Sequence, residues 1–289
     1  MTDESQVSEK KFPIRELSAR TTLNTVTIRA WERRYGLLKP ERTAKGHRLY
    51  SEEDVITIER ILSLVARGVP LGKVKPLLKG DIPDSLQGDD TQNWQGLVGE
   101  LITSIKSFSI SKAEHLISES FANYPAPICR ERLMEPVFTE LATCDDSSAA
   151  YGFAESELMR YTLLRLSAKI AKGKHSINVT LISGIQTPMW RLALMALELS
   201  DVKFSVHLIS RTFNVAAVID LAAKSQNAYT VFYQDGVWKD KEQVKVTRAL
   251  LENDQLFMCG TAPILSHLDS NERVFSDVKS CIAGLLKLQ

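Results

Sequence analysis

The sequence of 289 residues has few cysteines and no long apolar run. No stretch of about 18 apolar residues is present, which excludes a membrane span. The polar N-terminus, MTDESQVSEKK, lacks the pattern of a secretory signal or a transit peptide. The four cysteines lie far apart, so they form neither a CxxC metal knuckle nor a dense disulfide framework. These absences predict a reduced, cytoplasmic protein. The cysteines are Cys129, Cys144, Cys259 and Cys281.

Enzyme motifs are absent as well. The chain has no Walker loop, no GxGxxG and no HExxH. The histidines are scattered, at His47, His115, His175, His207 and His267. We therefore expect no enzyme activity and no metal site, while a sensor built on a lone thiol stays open.

The overall charge of +1 hides an uneven distribution. Residues 12–79 hold 14 Lys and Arg against 7 Asp and Glu, whereas residues 80–100 hold five acidic residues and no basic one. Residues 101–289 hold 20 of each sign. The length and ordinary composition suit a folded protein of about two domains. A compact basic domain beside a neutral remainder favours a polyanionic partner.

The first 80 residues show the pattern of a winged helix-turn-helix. Ile14 and Leu17 mark a short amphipathic helix, and Asn24 or Thr25 is suited to cap a second helix that runs to about Tyr35. Val26, Ala30 and Ile28 are expected to face inward. Gly36 ends the second helix, which is rich in arginine. Such a helix, after a short turn, is the one that enters the major groove of DNA.

A basic hairpin follows this helix. Pro40 and Gly46 punctuate the segment KPERTAKGHRLY, and Thr43–Gly46 suits a hairpin tip. A basic hairpin beside a recognition helix is a wing that reaches phosphates or the minor groove. Ser51–Asp54 predicts a capping box for a helix that extends to about Ala66. A turn and a last helix, Leu71–Leu78, close the unit.

The segment TVTIRAWERRYGLLKPERTAKGHRLYSEEDV resembles the DNA-binding domain of the MerR family of transcription regulators. The matching residues are Thr27, Arg29, Trp31, Glu32, Arg33, Gly36, Leu37, Gly46, His47, Arg48, Leu49, Tyr50 and Asp54. The resemblance covers residues 12–80 without gaps. The WERRYG form is similar to the CarH- and MlrA-like subgroup, whose effector region is built on a cobalamin-binding module.

The resemblance implies DNA contacts from the second helix and from the wing. Arg33 or Arg34 could instead pair with Glu32 or Glu41, and Trp31 could be partly core. The implied DNA-binding residues are Thr27, Arg29, Trp31, Arg33, Arg34, Tyr35, Arg42, Lys45, His47, Arg48 and Tyr50.

The remainder divides into an acidic linker, a helical bundle and an α/β domain. Residues 81–94 read as the linker, and residues 95–174 hold four helical patterns with short connections. In residues 175–289, strands at 177–183, 203–209, 229–233 and 256–260 alternate with helices. This alternation predicts a doubly wound parallel sheet, which binds ligands at the carboxyl ends of its strands. The predicted fold class is therefore α + α/β.

A bundle followed by such a sheet is similar to the cobalamin-binding module. That module carries an axial histidine, in an Asp-x-His-x-x-Gly context, just beyond its first strand. The corresponding segment here, SGIQTPMWRLAL, holds no histidine, and Trp190 or Met189 stands at about that place. We therefore expect the fold without the usual cobalamin mode, and no cofactor. The expected effector pocket holds Gln186, Trp190, Ser210, Thr212 and Gly260.

These observations predict a MerR-type transcription regulator that binds a near-palindromic promoter as a dimer. The resemblance implies that it deforms promoter DNA and so acts on RNA polymerase indirectly. One alternative is a cobalamin-binding light sensor with a different axial ligand. A corrinoid-dependent enzyme and a protein-interaction adaptor are further alternatives, and the basic winged domain argues against both.

Overall fold

A computed structural model describes residues 11–21, 23–80, 90–143, 148–170, 177–185, 187–202, 204–225 and 229–287. The chain divides into two compact units, residues 1–150 and residues 151–289. Most of the predicted linker lies outside the described residues, and so do Cys144, His175 and Gln186. Among the described residues, no helix is both long and apolar enough to span a membrane.

The first unit begins with a winged helix-turn-helix. Its helices are α1 (Ile14–Thr21), α2 (Thr25–Ala30), α3 (Glu52–Ala66) and α4 (Leu71–Leu78), and a π-helical turn over Trp31–Tyr35 continues α2. We call residues Thr25–Tyr35 the recognition helix. The strands β1 (Phe12–Pro13), β2 (Glu41–Arg42) and β3 (Arg48–Tyr50) form an antiparallel sheet in the order β1-β3-β2. Residues 41–50 are the wing.

Local sequence signals set the ends of these helices. The side chain of Asn24 accepts a hydrogen bond from the backbone N–H of Thr27 at 2.8 Å, so Asn24 caps the recognition helix. Gly36 ends that helix in the left-handed conformation, at φ 59°, which glycine adopts most easily. Asp54 accepts from the backbone N–H of Ser51 at 2.9 Å, which confirms the capping box of α3.

The hairpin of the wing is also as predicted. The backbone N–H of Thr43 donates to the carbonyl of His47 at 2.9 Å, and the N–H of Gly46 donates to the carbonyl of Thr43 at 2.8 Å. Gly46 has a φ of 80°. A glycine at this position lets the tip turn without strain.

The inward face of the recognition helix differs from the prediction at one position. Ile28 and Ala30 are buried as expected, at 0% and 5% exposure, but Val26 is 58% exposed. The expectation for Val26 was therefore wrong. The physical reason is helical spacing, because Val26 lies two residues from Ile28 and so points to nearly the opposite side of the helix.

Helices complete the first unit. They are α5 (Asp90–Lys106), α6 (Ile110–Asn123) and a continuous helical stretch made of α7 (Ala126–Cys129), a π-helical turn (Arg130–Met134) and α8 (Glu135–Thr143). Helix α5 packs against α6 and α8, and these helices carry buried apolar side chains such as Leu101, Ile105 and Phe138. Most of α9 (Ser148–Ile170) belongs to the second unit, so the bundle at 95–174 stays a prediction.

The second unit is built on a five-stranded, fully parallel sheet. Its strands are β4 (Ile177–Gly184), β5 (Phe204–Phe213), β6 (Tyr229–Tyr233), β7 (Leu256–Cys259) and β8 (Val274–Phe275), in the order β5-β4-β6-β7-β8. Its helices are α10 (Met189–Asp201), α11 (Val215–Lys224), α12 (Asp240–Glu252), α13 (Thr261–Leu265) and α14 (Val278–Leu286). The chain adds β5 on one side of β4 and then crosses to the other side to add β6, so the strand order switches between β4 and β6. Folds of this kind bind ligands at such a switch point.

Each face of this sheet has its own apolar core. Leu181 and Val231 lie in one cluster, whereas their neighbours Ile182 and Phe232 lie in the other. Successive side chains of a strand point to opposite faces, so strands covered on both sides are apolar throughout. This explains why the first and third strands are so evident in the sequence.

Two strands differ from the prediction. β5 extends to Phe213 because it contains an irregularity: Leu208 pairs with Leu181 but Thr212 pairs with Ser183, so four steps along β5 match two along β4. Ser210 and Thr212 therefore lie within a strand rather than in a loop after it. The two-residue β8 was missed, since two residues are too few to show an alternating pattern.

Candidate DNA interface and the ligand-binding edge of the sheet

The recognition helix presents two arginines to solvent. Arg29 and Arg33 are both exposed, and Val26 lies with them at spacings of three and seven residues, on one face of the helix. Within the described residues neither arginine forms an ion pair with a carboxylate. Both guanidinium groups are therefore available to an external partner.

A partly buried carboxylate ties the recognition helix to the wing. Glu32, whose side chain is 14% exposed, accepts a hydrogen bond from Nε of Arg48 at 2.5 Å and another from Arg42 at 3.4 Å. The bond to Glu32 is the main cause that raises the pKa of Arg48. We call Glu32 and its two arginines the wing clamp. It fixes the position of the wing beside the exposed face of the helix.

The other wing residues lie at the tip. Lys45 and His47 are exposed, next to Gly46. Neither side chain is part of an ion pair with a described residue. The tip therefore offers positive charge and hydrogen-bond donors to solvent, as a phosphate-contacting wing requires.

Three of the predicted DNA-binding side chains are fully buried. Thr27, Trp31 and Tyr50 are each 0% exposed. Burial is the main cause that raises the pKa of Tyr50 to about 12. These side chains pack the core beneath the interface, and without exposed surface they do not contact DNA directly in this conformation.

The end of the recognition helix packs against α6. The indole N–H of Trp31 donates to the backbone carbonyl of Asn123 at 2.7 Å. Arg34 donates to the side chains of Glu119 and Asn123, both at 3.1 Å. Tyr35 is half-buried there, and burial raises its pKa. Arg34 and Tyr35 therefore lie at the contact between the recognition helix and α6. The sequence gave no signal of this contact, because the partners are about 90 residues away along the chain.

The carboxyl edge of the sheet is cross-linked by short polar contacts. The hydroxyl of Thr187 donates to the carbonyl of Tyr233 at 3.2 Å and accepts from the backbone N–H of Asp235 at 2.8 Å. A Cβ on Gly260, which has a φ of 106°, would lie 2.4 Å from the carbonyl oxygen of Gln234. Gly260 is thus required for close packing between the ends of β6 and β7. Of the other predicted pocket residues, Ser210 and Thr212 lie on β5.

Trp190 is held at the start of α10. Its indole N–H donates to the hydroxyl of Tyr151 at 2.8 Å, and its backbone N–H donates to Glu155 at 3.0 Å. The guanidinium of Arg191 lies 5.0 Å from the centre of the indole ring, in cation–π geometry. An indole nitrogen that carries and donates a hydrogen is not a metal ligand, unlike the imidazole nitrogen of histidine.

The two described histidines of the second unit lie outside this segment. His207 lies in the middle of β5, pairs with Thr180 and is exposed, and His267 follows α13 with a φ of 56°. The residues at this edge therefore do not fit an axial ligation of cobalt by a protein histidine from the β4–α10 segment.

Comparisons with known proteins agree with this architecture. Residues 12–81 match the family described as MerR HTH family regulatory protein. The chain is 33% identical over 171 residues to the HTH-type transcriptional regulator MlrA of Escherichia coli strain K12, covering 58% of this chain and 68% of MlrA. It is 21% identical over 188 residues to the HTH-type transcriptional repressor CarH of Myxococcus xanthus, covering 60% of this chain and 62% of CarH.

A solved structure is similar in part. The Methanosarcina barkeri monomethylamine corrinoid protein matches 68% of this chain and 99% of its own, with a TM-score of 0.48 and 13% sequence identity.

The comparisons correct the prediction that the chain uses no cofactor. The alignment with CarH covers 60% of the chain, and CarH-like regulators form the subgroup with a cobalamin-binding module that the sequence resembles. The absence of one histidine was too narrow a basis for excluding the cofactor, because an axial ligand is only one of the contacts that hold a corrinoid.

The relatives named above are transcriptional regulators, and the helix-turn-helix that they share with this chain is present in full. The chain belongs to the MerR family of HTH-type transcriptional regulators.

Proposed function

We propose that this protein binds promoter DNA as a dimer, with one recognition helix in the major groove of each half-site. The observation that carries the proposal is the exposed face of Arg29 and Arg33, without carboxylate partners among the described residues, beside a wing that Glu32 holds in place. Arginine is the residue that most often reads guanine in the major groove.

The wing supplies the second set of contacts in this proposal. Arg42 and Arg48 each give part of the guanidinium to Glu32, and Lys45 and His47 at the tip are exposed. Arg48 therefore has two roles: it positions the wing through Nε, and its remaining N–H groups face phosphate. Bending or untwisting of the site by paired wings would act on RNA polymerase indirectly, at a deformation cost of about a few kcal/mol.

The second unit is proposed as the effector unit, with cobalamin as the candidate cofactor. The β4–α10 segment carries Trp190 in place of a histidine, so the protein would not supply an axial imidazole from there. The chain's own residues at this edge instead fix the strand ends, through Thr187 and Gly260, and hold the indole through Tyr151.

DNA selection tests the first part of the proposal. The full-length protein would be used to enrich duplexes from a randomised library, and the enriched site would be footprinted. We expect two inverted half-sites about one helical turn apart. Arg29→Ala should weaken binding to the enriched site severely, whereas Arg60→Ala, an exposed arginine on α3, should not. No enrichment, or equal effects of the two substitutions, would contradict the proposal.

An absorbance spectrum tests the effector proposal separately. The protein would be incubated with hydroxocobalamin in the dark, desalted and scanned through the visible range. Retention of about one corrinoid per chain supports the second unit as a cobalamin effector unit. Loss of all colour on desalting contradicts it and leaves the DNA-binding proposal standing.

A further inference from the structure

A cavity of 390 Å³ lies within the first unit. It forms where the turn after α3 meets α5 and the helical stretch of α8. Cavities of about 300–1,000 Å³ are typical of small-molecule sites. Its lining includes Arg67, Trp94, Val98, Gly99, Arg132 and Pro136.

The cavity has an apolar, partly aromatic wall. Trp94, Val98 and Pro136 supply it, and Trp94 is only 6% exposed. The indole N–H of Trp94 is buried and has no hydrogen-bond acceptor among the described residues. A buried donor without an acceptor is unfavourable, so an acceptor atom of a bound molecule that reaches this N–H would be stabilised.

Two arginines bring positive charge to the lining. Arg67 donates from Nε to the carbonyl of Ser63 at 3.3 Å, and Arg132 donates to the carbonyl of Ala66 at 2.7 Å. Among the described residues neither guanidinium pairs with a carboxylate. Of the two glutamates that also line the cavity, Glu131 pairs with Arg130 at 3.2 Å, and Glu140 has an interaction of its own.

Two glycines belong to the lining, Gly68 and Gly99. A Cβ on Gly68 or on Gly99 would meet no atom within 4 Å. Gly99 lies inside α5, where glycine is less favourable than alanine. A larger side chain at this lining position has open space to extend into, so a substitution there can test whether the cavity is the site.

We propose that this cavity binds a small planar aromatic carboxylate. The ring would lie against Val98 and Pro136 beside Trp94, and the carboxylate would pair with Arg67 and Arg132 while one of its oxygens accepts from the indole N–H. The bond between Arg132 and Ala66 joins the winged domain to the helices that follow it, so such a ligand would bind at the point where those helices meet the DNA-binding domain. The proposal is independent of cobalamin binding in the second unit.

The test follows the indole ¹H–¹⁵N resonance of Trp94 in the full-length protein, identified by its loss in Trp94→Phe. Salicylate, indole-3-acetate and 2-naphthoate would be titrated, each beside its neutral amide. We expect a saturable shift with at least one carboxylate and binding weaker by about tenfold with its amide, because the charge-assisted bonds are lost. No shift with any of the three carboxylates, or equal binding of acid and amide, would overturn the proposal.

Matched variants locate the site. Arg67→Gln and Arg132→Gln should each weaken binding of the carboxylate ligand by about tenfold, while Arg60→Gln should leave its affinity unchanged. Gly99→Leu should abolish the shift by filling the cavity while favouring the helix, and Gly152→Leu, on an open face of α9, should not. Wild-type binding by Gly99→Leu would place the ligand elsewhere and overturn the assignment.

Discussion

Replacing Glu32 with glutamine should release the wing from the recognition helix. The carboxylate accepts from Arg48 at 2.5 Å and from Arg42 at 3.4 Å, and the side chains of Glu32 and Arg48 are 14% and 24% exposed. Hydrogen bonds to charged groups contribute about 1.5–3 kcal/mol, whereas exposed ion pairs contribute about 0.2–1 kcal/mol. The intermediate exposure predicts a coupling of about 1–2 kcal/mol between Glu32 and Arg48.

Hydrogen exchange is the suitable assay, because the chain has two compact units and global unfolding need not be a single transition. The backbone N–H of Thr43, bonded to His47 within the wing, reports local opening. Glu32→Gln should speed its exchange by about tenfold, the equivalent of about 1.4 kcal/mol, and Glu59→Gln, an exposed control on α3, should not.

A double-mutant cycle completes this test. Glu32→Gln, Arg48→Gln and the double variant give the coupling energy, and contacts with other residues cancel. If the exchange free energies of the two single variants simply add, the wing clamp does not hold the wing and the argument from geometry fails.

Four further predictions follow from particular contacts. Trp31→Phe removes the buried bond from the indole to the Asn123 carbonyl and should lower the free energy of unfolding of the first unit by about 1–2 kcal/mol in a urea titration; an unchanged midpoint would show that the bond contributes nothing. Val26→Ala should alter base preference in a selection experiment while changing the free energy of unfolding by less than about 0.5 kcal/mol, since Val26 is 58% exposed; a large loss of stability would mean that the residue is in the core. Cys129, Cys259 and Cys281 are buried, and burial raises the pKa of the Cys259 thiol. The Cys144→Ser variant, which keeps only these three thiols, should therefore react with Ellman's reagent at pH 8 only when the protein is unfolded. Rapid reaction of any of the three thiols in the native protein would refute their burial. Burial raises the pKa of Tyr50 and of Tyr124 to about 12. Between about pH 10 and pH 12 the unfolded chain loses these protons while the folded chain keeps them, so the free energy of unfolding should fall as the pH rises through this range. Absorbance at 295 nm should show both tyrosines ionising above the ordinary pKa of 10.

The sequence was most informative where the determining interactions are local. The caps at Asn24 and Ser51, the stop at Gly36 and the hairpin closed at Gly46 each depend on residues within about four positions of one another, and each is present in the structure. The apolar strands of a sheet covered on both faces were equally clear, because such strands lack polar positions.

Sequence reasoning could not identify partners that are distant along the chain. It left core packing open for Trp31 and ion pairing open for Arg34 beside DNA contact, but nothing local to WERRYG indicates Asn123 or Glu119, which α6 brings to them. Glu32 was expected to pair with its helix neighbours if with anything, whereas the hairpin brings Arg42 and Arg48 to it. The extension of β5 depends on a register shift against β4, which no single strand can reveal.

The claim that Arg29 and Arg33 face DNA is tested most directly by the salt dependence of binding. Fluorescence anisotropy on the selected site would compare the wild type with Arg29→Gln/Arg33→Gln and with the charge-matched control Arg60→Gln/Arg248→Gln. The first pair should lower the slope of log affinity against log salt by about 0.9 for each phosphate contact removed, and should reduce discrimination against a mismatched site wherever an arginine contacts a base. The control pair should leave both slope and discrimination at wild-type values. Identical behaviour of the two double variants would mean that only net charge matters, and would contradict the assignment of the recognition helix.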